Sequence, residues 1–138
     1  MPPSVCNRIQ RSDSRVRAGL KVGVLEMSIT SQALDGVYGR VAAGVRARLE
    51  QAVDLGWRRL GTAETDGRGR ILDWAADDFE RGLYRIVFDS DQYFVGLGLN
   101  AAYPEITAMF RIADESDSCL IQVTLSPHSY SIYFGTDN

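Results

Sequence analysis

The chain has 138 residues, of which 45% are hydrophobic, 24% charged and 9% aromatic. That is the size and composition of one ordinary domain, and it argues against a disordered or fibrous chain. No apolar run approaches the ~18–20 residues of a membrane-spanning helix, and the net charge of −3 hides an uneven distribution.

Residues 1–27 carry five bases (Arg8, Arg11, Arg15, Arg17 and Lys21) against Asp13 and Glu26, a balance of +3. The segment shows neither alternation nor a helical stripe. It lacks a secretory core, because the apolar run at 22–25 is only four residues long. We expect a disordered tail or an upstream-extended start, with translation beginning at Met27; a functional basic arm is the alternative. The remaining residues balance at −6, which repels phosphate backbones and argues against a nucleic-acid partner.

From residue 28 the chain reads as short strands. Ser28–Asp35 alternates and is closed by Gly36 and Gly39. Val45–Gln51 alternates strictly, setting Val45, Ala47 and Leu49 against Arg46, Arg48 and Glu50. Trp57–Glu64 is a third run, and Thr65-Asp66-Gly67-Arg68-Gly69 reads as a turn. A short strand near Ile71–Trp74 precedes an acidic loop over 75–82.

Leu83–Asp89 is rich in β-branched and aromatic residues, a strong strand signal. Ser90–Leu97 is the one expected helix, with Ser90 as its cap and Asp91 near its positive end. Glu105–Ala113, Leu120–Leu125 and Ser129–Phe134 complete the set, the last two joined at Ser126-Pro127. About eight strands and one helix predict an all-β fold, a two-sheet antiparallel sandwich spanning 28–138.

Cys6 and Cys119 have no ligand-like spacing and are expected to be reduced thiols of a cytoplasmic protein. Asp77-Asp78 and Asp114-Glu115 read as exposed loop acids rather than metal ligands. No metal or cofactor is expected.

Six segments, in order and at matching spacing, resemble the transthyretin / 5-hydroxyisourate hydrolase family. They are Gln32-Ala33-Leu34-Asp35; Gly39-Arg40-Val41-Ala42-Ala43-Gly44-Val45; Thr65-Asp66-Gly67-Arg68; Tyr84-Arg85-Ile86-Val87-Phe88-Asp89; Tyr103-Pro104-Glu105-Ile106-Thr107; and Leu125-Ser126-Pro127-His128-Ser129-Tyr130-Ser131. The resemblance implies a transthyretin-like eight-stranded sandwich with a short helix after the fifth strand. It also implies a homotetramer, built as a dimer of dimers, with a small-molecule site in the channel between the dimers.

The family's catalytic pattern is kept only in part. Its hydrolases carry a histidine in the first strand, an arginine after the Asp-Gly turn, a second histidine opening the penultimate strand, and Tyr-Arg-Gly-Ser at the C-terminus. Here the histidine positions hold Gln32 and Leu120, the arginine is matched to Arg68, and the last motif reads Tyr133-Phe134-Gly135-Thr136. Neither an amide nor an aliphatic side chain can move a proton at neutral pH, whereas a well-placed imidazole contributes ~10²–10⁴-fold.

Period-two geometry then puts Gln32, Leu34, Leu120, Gln122, Thr124, Ser131 and Tyr133 on the channel wall with Arg68, and Phe134 is counted with the substrate contacts. Arg68, Tyr133, Thr136 and Gln32 are the expected catalytic set: Arg68 stabilises developing negative charge, and the others orient substrate or water. His128 is expected to pack at a strand junction rather than to catalyse.

Three functions fit this reading. One is a divergent, cofactor-free enzyme acting on a small cyclic or conjugated-carbonyl substrate by ring opening, cyclisation or isomerisation, with specialised metabolism as a natural setting. Another is a non-catalytic small-ligand carrier. The third is 5-hydroxyisourate hydrolysis in urate degradation with altered residues.

Overall fold

The computed structural model describes residues 28–74, 79–114 and 118–136. The expected N-terminal tail, Asp77-Asp78 and Glu115 lie outside them.

Nine strands are present among the described residues. They are β1 (Ser28–Asp35), β2 (Arg40–Val41), β3 (Arg46–Val53), β4 (Gly56–Glu64), β5 (Arg70–Ile71), β6 (Gly82–Phe88), β7 (Ile106–Ile112), β8 (Ser118–Ser126) and β9 (Ser129–Thr136). The helix α1 (Ser90–Gly96) follows β6. The first sheet runs β2-β1-β8-β9, with β5 also paired to β1; the second runs β4-β3-β6-β7. The two-residue strands β2 and β5 take successive stretches of the same β1 edge.

Alternation drives the layering. β7 is buried at every second residue from Ile106 to Ile112, and β8 buries Cys119, Ile121, Val123 and Leu125 while its even-numbered residues face outward. The inward sets meet in one core with Leu49, Ile86, Phe88 and Trp74. Tyr84 stacks on Phe110 at 5.9 Å between ring centroids. Burying such side chains contributes roughly 1.5–3 kcal/mol each, which explains why the register is held.

The sandwich and its single helix match the sequence expectation. Four details differ. The two-residue β2 makes nine strands where about eight were expected, so the helix follows the sixth strand rather than the fifth. β1 pairs with β8 in parallel, because period-two patterning carries no strand direction. The α1 cap is Asp89, whose Oδ1 accepts from Gln92 N at 3.1 Å, while Ser90 begins the helix and is fully buried. Cys119 stands in a disulfide rather than as a reduced thiol, and its partner lies outside the described residues.

Candidate functional site

The outward face of the first sheet collects most of the expected site. Residues registered across neighbouring strands project to the same side. Gln32 is registered with Gln122, and Gln122 with Tyr133. One register step along, Leu34 meets Thr124 and Thr124 meets Ser131. One step the other way, Leu120 lies between Thr30 and Gly135. Gln32, Leu34, Leu120, Gln122, Thr124, Ser131 and Tyr133 therefore share one face.

Arg68 does not join them. It sits exposed in the turn before β5. Arg70 opens β5 and is the registered partner of Gln32; it is half-buried, with its Nε shielded from solvent. Arg70, Gln32, Gln122 and Tyr133 thus form one line across four strands.

The turn explains the displacement by two residues. Asp66 Oδ1 accepts from the backbone N–H of Arg68 at 2.8 Å and of Arg70 at 2.9 Å, and Asp66 N donates to Arg70 O. Those hydrogen bonds from Arg70 and Arg68, helped by their charges, hold the Asp66 carboxyl below its ordinary range. Gly69 has φ +76°, and a Cβ there would lie 2.7 Å from Ala33 O and 2.9 Å from Val41 Cβ. Its carbonyl accepts from Ala33 N at 2.8 Å, fastening the turn to β1. Gly67 has open space around it. The glycine that the turn needs is therefore Gly69, and the arginine delivered to the sheet is the one after it. The repeated Gly-Arg pair in Gly67-Arg68-Gly69-Arg70 was the available signal.

Phe134 and Thr136 also leave the set. Phe134 is registered with the core residue Ile121 and packs against the core, while Thr136 is registered with the buried Cys119. Both occupy the inward parity of β9, opposite to Tyr133. His128 is exposed in the β8–β9 turn instead of packed, beyond Ser126, which is itself roughly 13 Å along the strand from Gln122.

Tyr133 is 59% exposed, and its ring folds over Gly135. A Cβ at Gly135 would lie 2.6 Å from Tyr133 Cε2 and 2.8 Å from its hydroxyl, so the glycine makes room for the phenol beside Leu120. Thr30 is buried and its Oγ1 donates to Cys119 O at 3.3 Å. The face therefore offers one guanidinium, two carboxamides and a phenol, bordered by Leu34 and Leu120. It suits a planar ligand with an oxygen for Arg70 to hold. Among the described residues, no three of His, Cys, Asp and Glu form a metal-holding group.

A five-stranded and a four-stranded sheet packed as a sandwich with one short helix are the architecture of transthyretin-like domains. The model of the HIUase/Transthyretin family matches residues 29–135, and the chain belongs to that family. It is 38% identical over 104 residues to a 5-hydroxyisourate hydrolase of Salmonella typhimurium, covering 75% of this chain and 76% of that one. A probable 5-hydroxyisourate hydrolase of Caenorhabditis elegans is 34% identical over 113 residues, covering 79% and 82%. Sea bream transthyretin in complex with thyroxine superposes with a TM-score of 0.75 at 25% identity, covering 80% of this chain and 97% of that one.

Proposed function

We propose that this protein is a divergent, cofactor-free enzyme of the family. Its substrate is a small cyclic or conjugated-carbonyl compound, bound against the outward face of the first sheet in a channel between the dimers of a homotetramer. The line Arg70–Gln32–Gln122–Tyr133 carries this reading.

The chemistry follows from what those groups can and cannot do. Arg70 pairs with an oxygen on which negative charge develops, as in an enolate or an opened amide, and a preorganised cation is a strong source of transition-state stabilisation. Gln32 and Gln122 hold the substrate carbonyl or a water by hydrogen bonds without titrating. Tyr133 closes the far end and donates its hydroxyl. Neither Gln32 nor Leu120 can serve as a neutral-pH base, so reactions needing less proton shuttling than hydrolysis (cyclisation, isomerisation, an activated ring opening) are favoured.

Hydrolysis of 5-hydroxyisourate is the competing reading, supported by the identity to relatives named for that activity. Fresh 5-hydroxyisourate separates the two when its absorbance decay is followed with and without protein. We expect decay within a few-fold of the spontaneous rate, and turnover of another member of a cyclic-carbonyl panel by mass spectrometry. Rapid consumption of 5-hydroxyisourate establishes the hydrolase instead. Tight binding without any product establishes a carrier.

A further inference from the structure

The outward face of the second sheet holds a depression of about 460 Å³, on the opposite side of the sandwich from the Arg70 line. Three adjacent strands contribute Arg46 and Arg48, Arg59 and Thr62, and Val87. Cross-strand register organises them. Arg48 lies between Thr62 on β4 and Val87 on β6, and Val87, only 2% exposed, forms the apolar floor.

In the next row Glu50 lies between Arg59 and Arg85. Both of its carboxylate oxygens are already taken: Oε2 accepts from Arg48 Nε at 2.9 Å and Oε1 from Arg85 Nε at 2.6 Å. The Arg85 guanidinium also lies 4.2 Å from the centroid of the Trp57 ring, which fixes its position further. Arg59 is thereby left with no carboxylate partner among the described residues, although its cross-strand neighbour is an acid. The two acids that line the depression, Glu64 and Asp89, lie at the far end beside Arg46: Glu64 is its registered partner, and Asp89 N donates to Arg46 O.

An arginine fork matches a carboxylate in bidentate fashion, and the aliphatic stems of arginines offer apolar contact beside the charge. The volume is that of a small-molecule site. We propose that this depression binds a small organic monocarboxylate. The carboxylate pairs with Arg59 and accepts from Thr62 Oγ1, while the apolar body lies on Val87 beside the stems of Arg46 and Arg48. The site shares no residue with the line on the first sheet.

Benzoate is a suitable probe, titrated into the full chain and followed by backbone amide NMR, with benzyl alcohol and inorganic phosphate as comparators. Saturable shifts are expected at residues 46–48, 59–62 and 87, with benzyl alcohol binding at least tenfold more weakly. Arg59→Gln should weaken benzoate at least tenfold and Thr62→Val by severalfold. Both residues are exposed, so both variants should keep the amide spectrum of the fold; should one lose it, the other and the benzyl alcohol comparison decide. Absence of saturation, or affinity unchanged in Arg59→Gln or Thr62→Val, overturns the site. Phosphate binding as tightly as benzoate overturns the carboxylate assignment.

Discussion

Gln32 and Arg70 are registered partners across the β1–β5 pair, so a carboxamide and a guanidinium share one face of the first sheet. Arg68, two residues earlier, lies exposed in the turn. Under the proposed function, Arg70→Ala should lower kcat/KM for the identified substrate at least tenfold, equivalent to ~1.4 kcal/mol of transition-state stabilisation. Arg68→Ala should leave it within twofold. Equal effects of the two variants in correctly assembled protein would remove Arg70 from its assigned role.

Introducing imidazoles tests the same face from the other direction. Leu120 sits on β8 one register step from Gln122, which is the partner of Gln32, so histidines at 32 and 120 would be near neighbours above Arg70. Gln32→His combined with Leu120→His should raise consumption of 5-hydroxyisourate at least tenfold over the parent chain. A pH–rate profile bending near pH 6–7 should accompany the gain. A double variant that folds and assembles yet gains no activity would show that the face lacks more than proton-transfer groups.

Gly69 should tolerate no side chain. Its φ of +76° and the 2.7 Å approach of a Cβ to Ala33 O predict that Gly69→Ala destabilises by roughly 2–4 kcal/mol in urea denaturation. Gly67→Ala, with nothing within 4 Å, should change stability by less than ~0.5 kcal/mol.

One buried hydrogen bond should register at both ends of the pH scale. Tyr93 on α1 donates to Asp35 Oδ2 at the end of β1, while Asp35 Oδ1 accepts from the backbone of Val37 and Tyr38. Burial opposes ionisation of Asp35, but the bonds from Tyr93, Tyr38 and Val37 and the charge of Arg40 outweigh it and hold the carboxyl below its ordinary value. Burial, with the bond to Asp35 and its charge, pushes Tyr93 up to about 12. A depressed acid stabilises the fold above its unfolded value near ~4 and loses that contribution as pH falls through the folded value. A raised phenol stabilises below its unfolded value near ~10 and loses that contribution as pH rises through the folded value. Unfolding free energies should therefore fall below about pH 4 and again between about pH 10 and 12. In Tyr93→Phe the alkaline loss should shrink and the acid loss should lessen; a profile unchanged from the parent would contradict this coupling.

Much of the fold was legible residue by residue. The alternation in Ile106–Ile112 and in the segment around Leu120–Leu125 announces which side chains enter the core, because burial on one face of a pleated strand repeats every second residue. The same periodicity grouped Leu34 with Gln32, Gln122 and Thr124 with Leu120, and Ser131 with Tyr133. The family resemblance supplied the common face on which the three strands meet, and their register places them on one side of the sheet. Periodicity also set Phe134 apart from Tyr133 by parity, which motif matching to the family's C-terminal tetrapeptide obscured.

The choice between Arg68 and Arg70 was not legible in that way. Two Gly-Arg pairs occur in succession, and local turn chemistry accepts either. Packing of Gly69 against Ala33 and Val41, more than twenty residues away in the chain, selects the second. The parallel pairing of β1 with β8 and the capture of both Glu50 oxygens by Arg48 and Arg85 are similar in kind. Hydropathy period and turn propensity are properties of neighbouring residues and can be read from their order. Strand direction, close backbone approach and competition for a carboxylate depend on segments distant in the chain, and they exist only once the sheets have closed on one another.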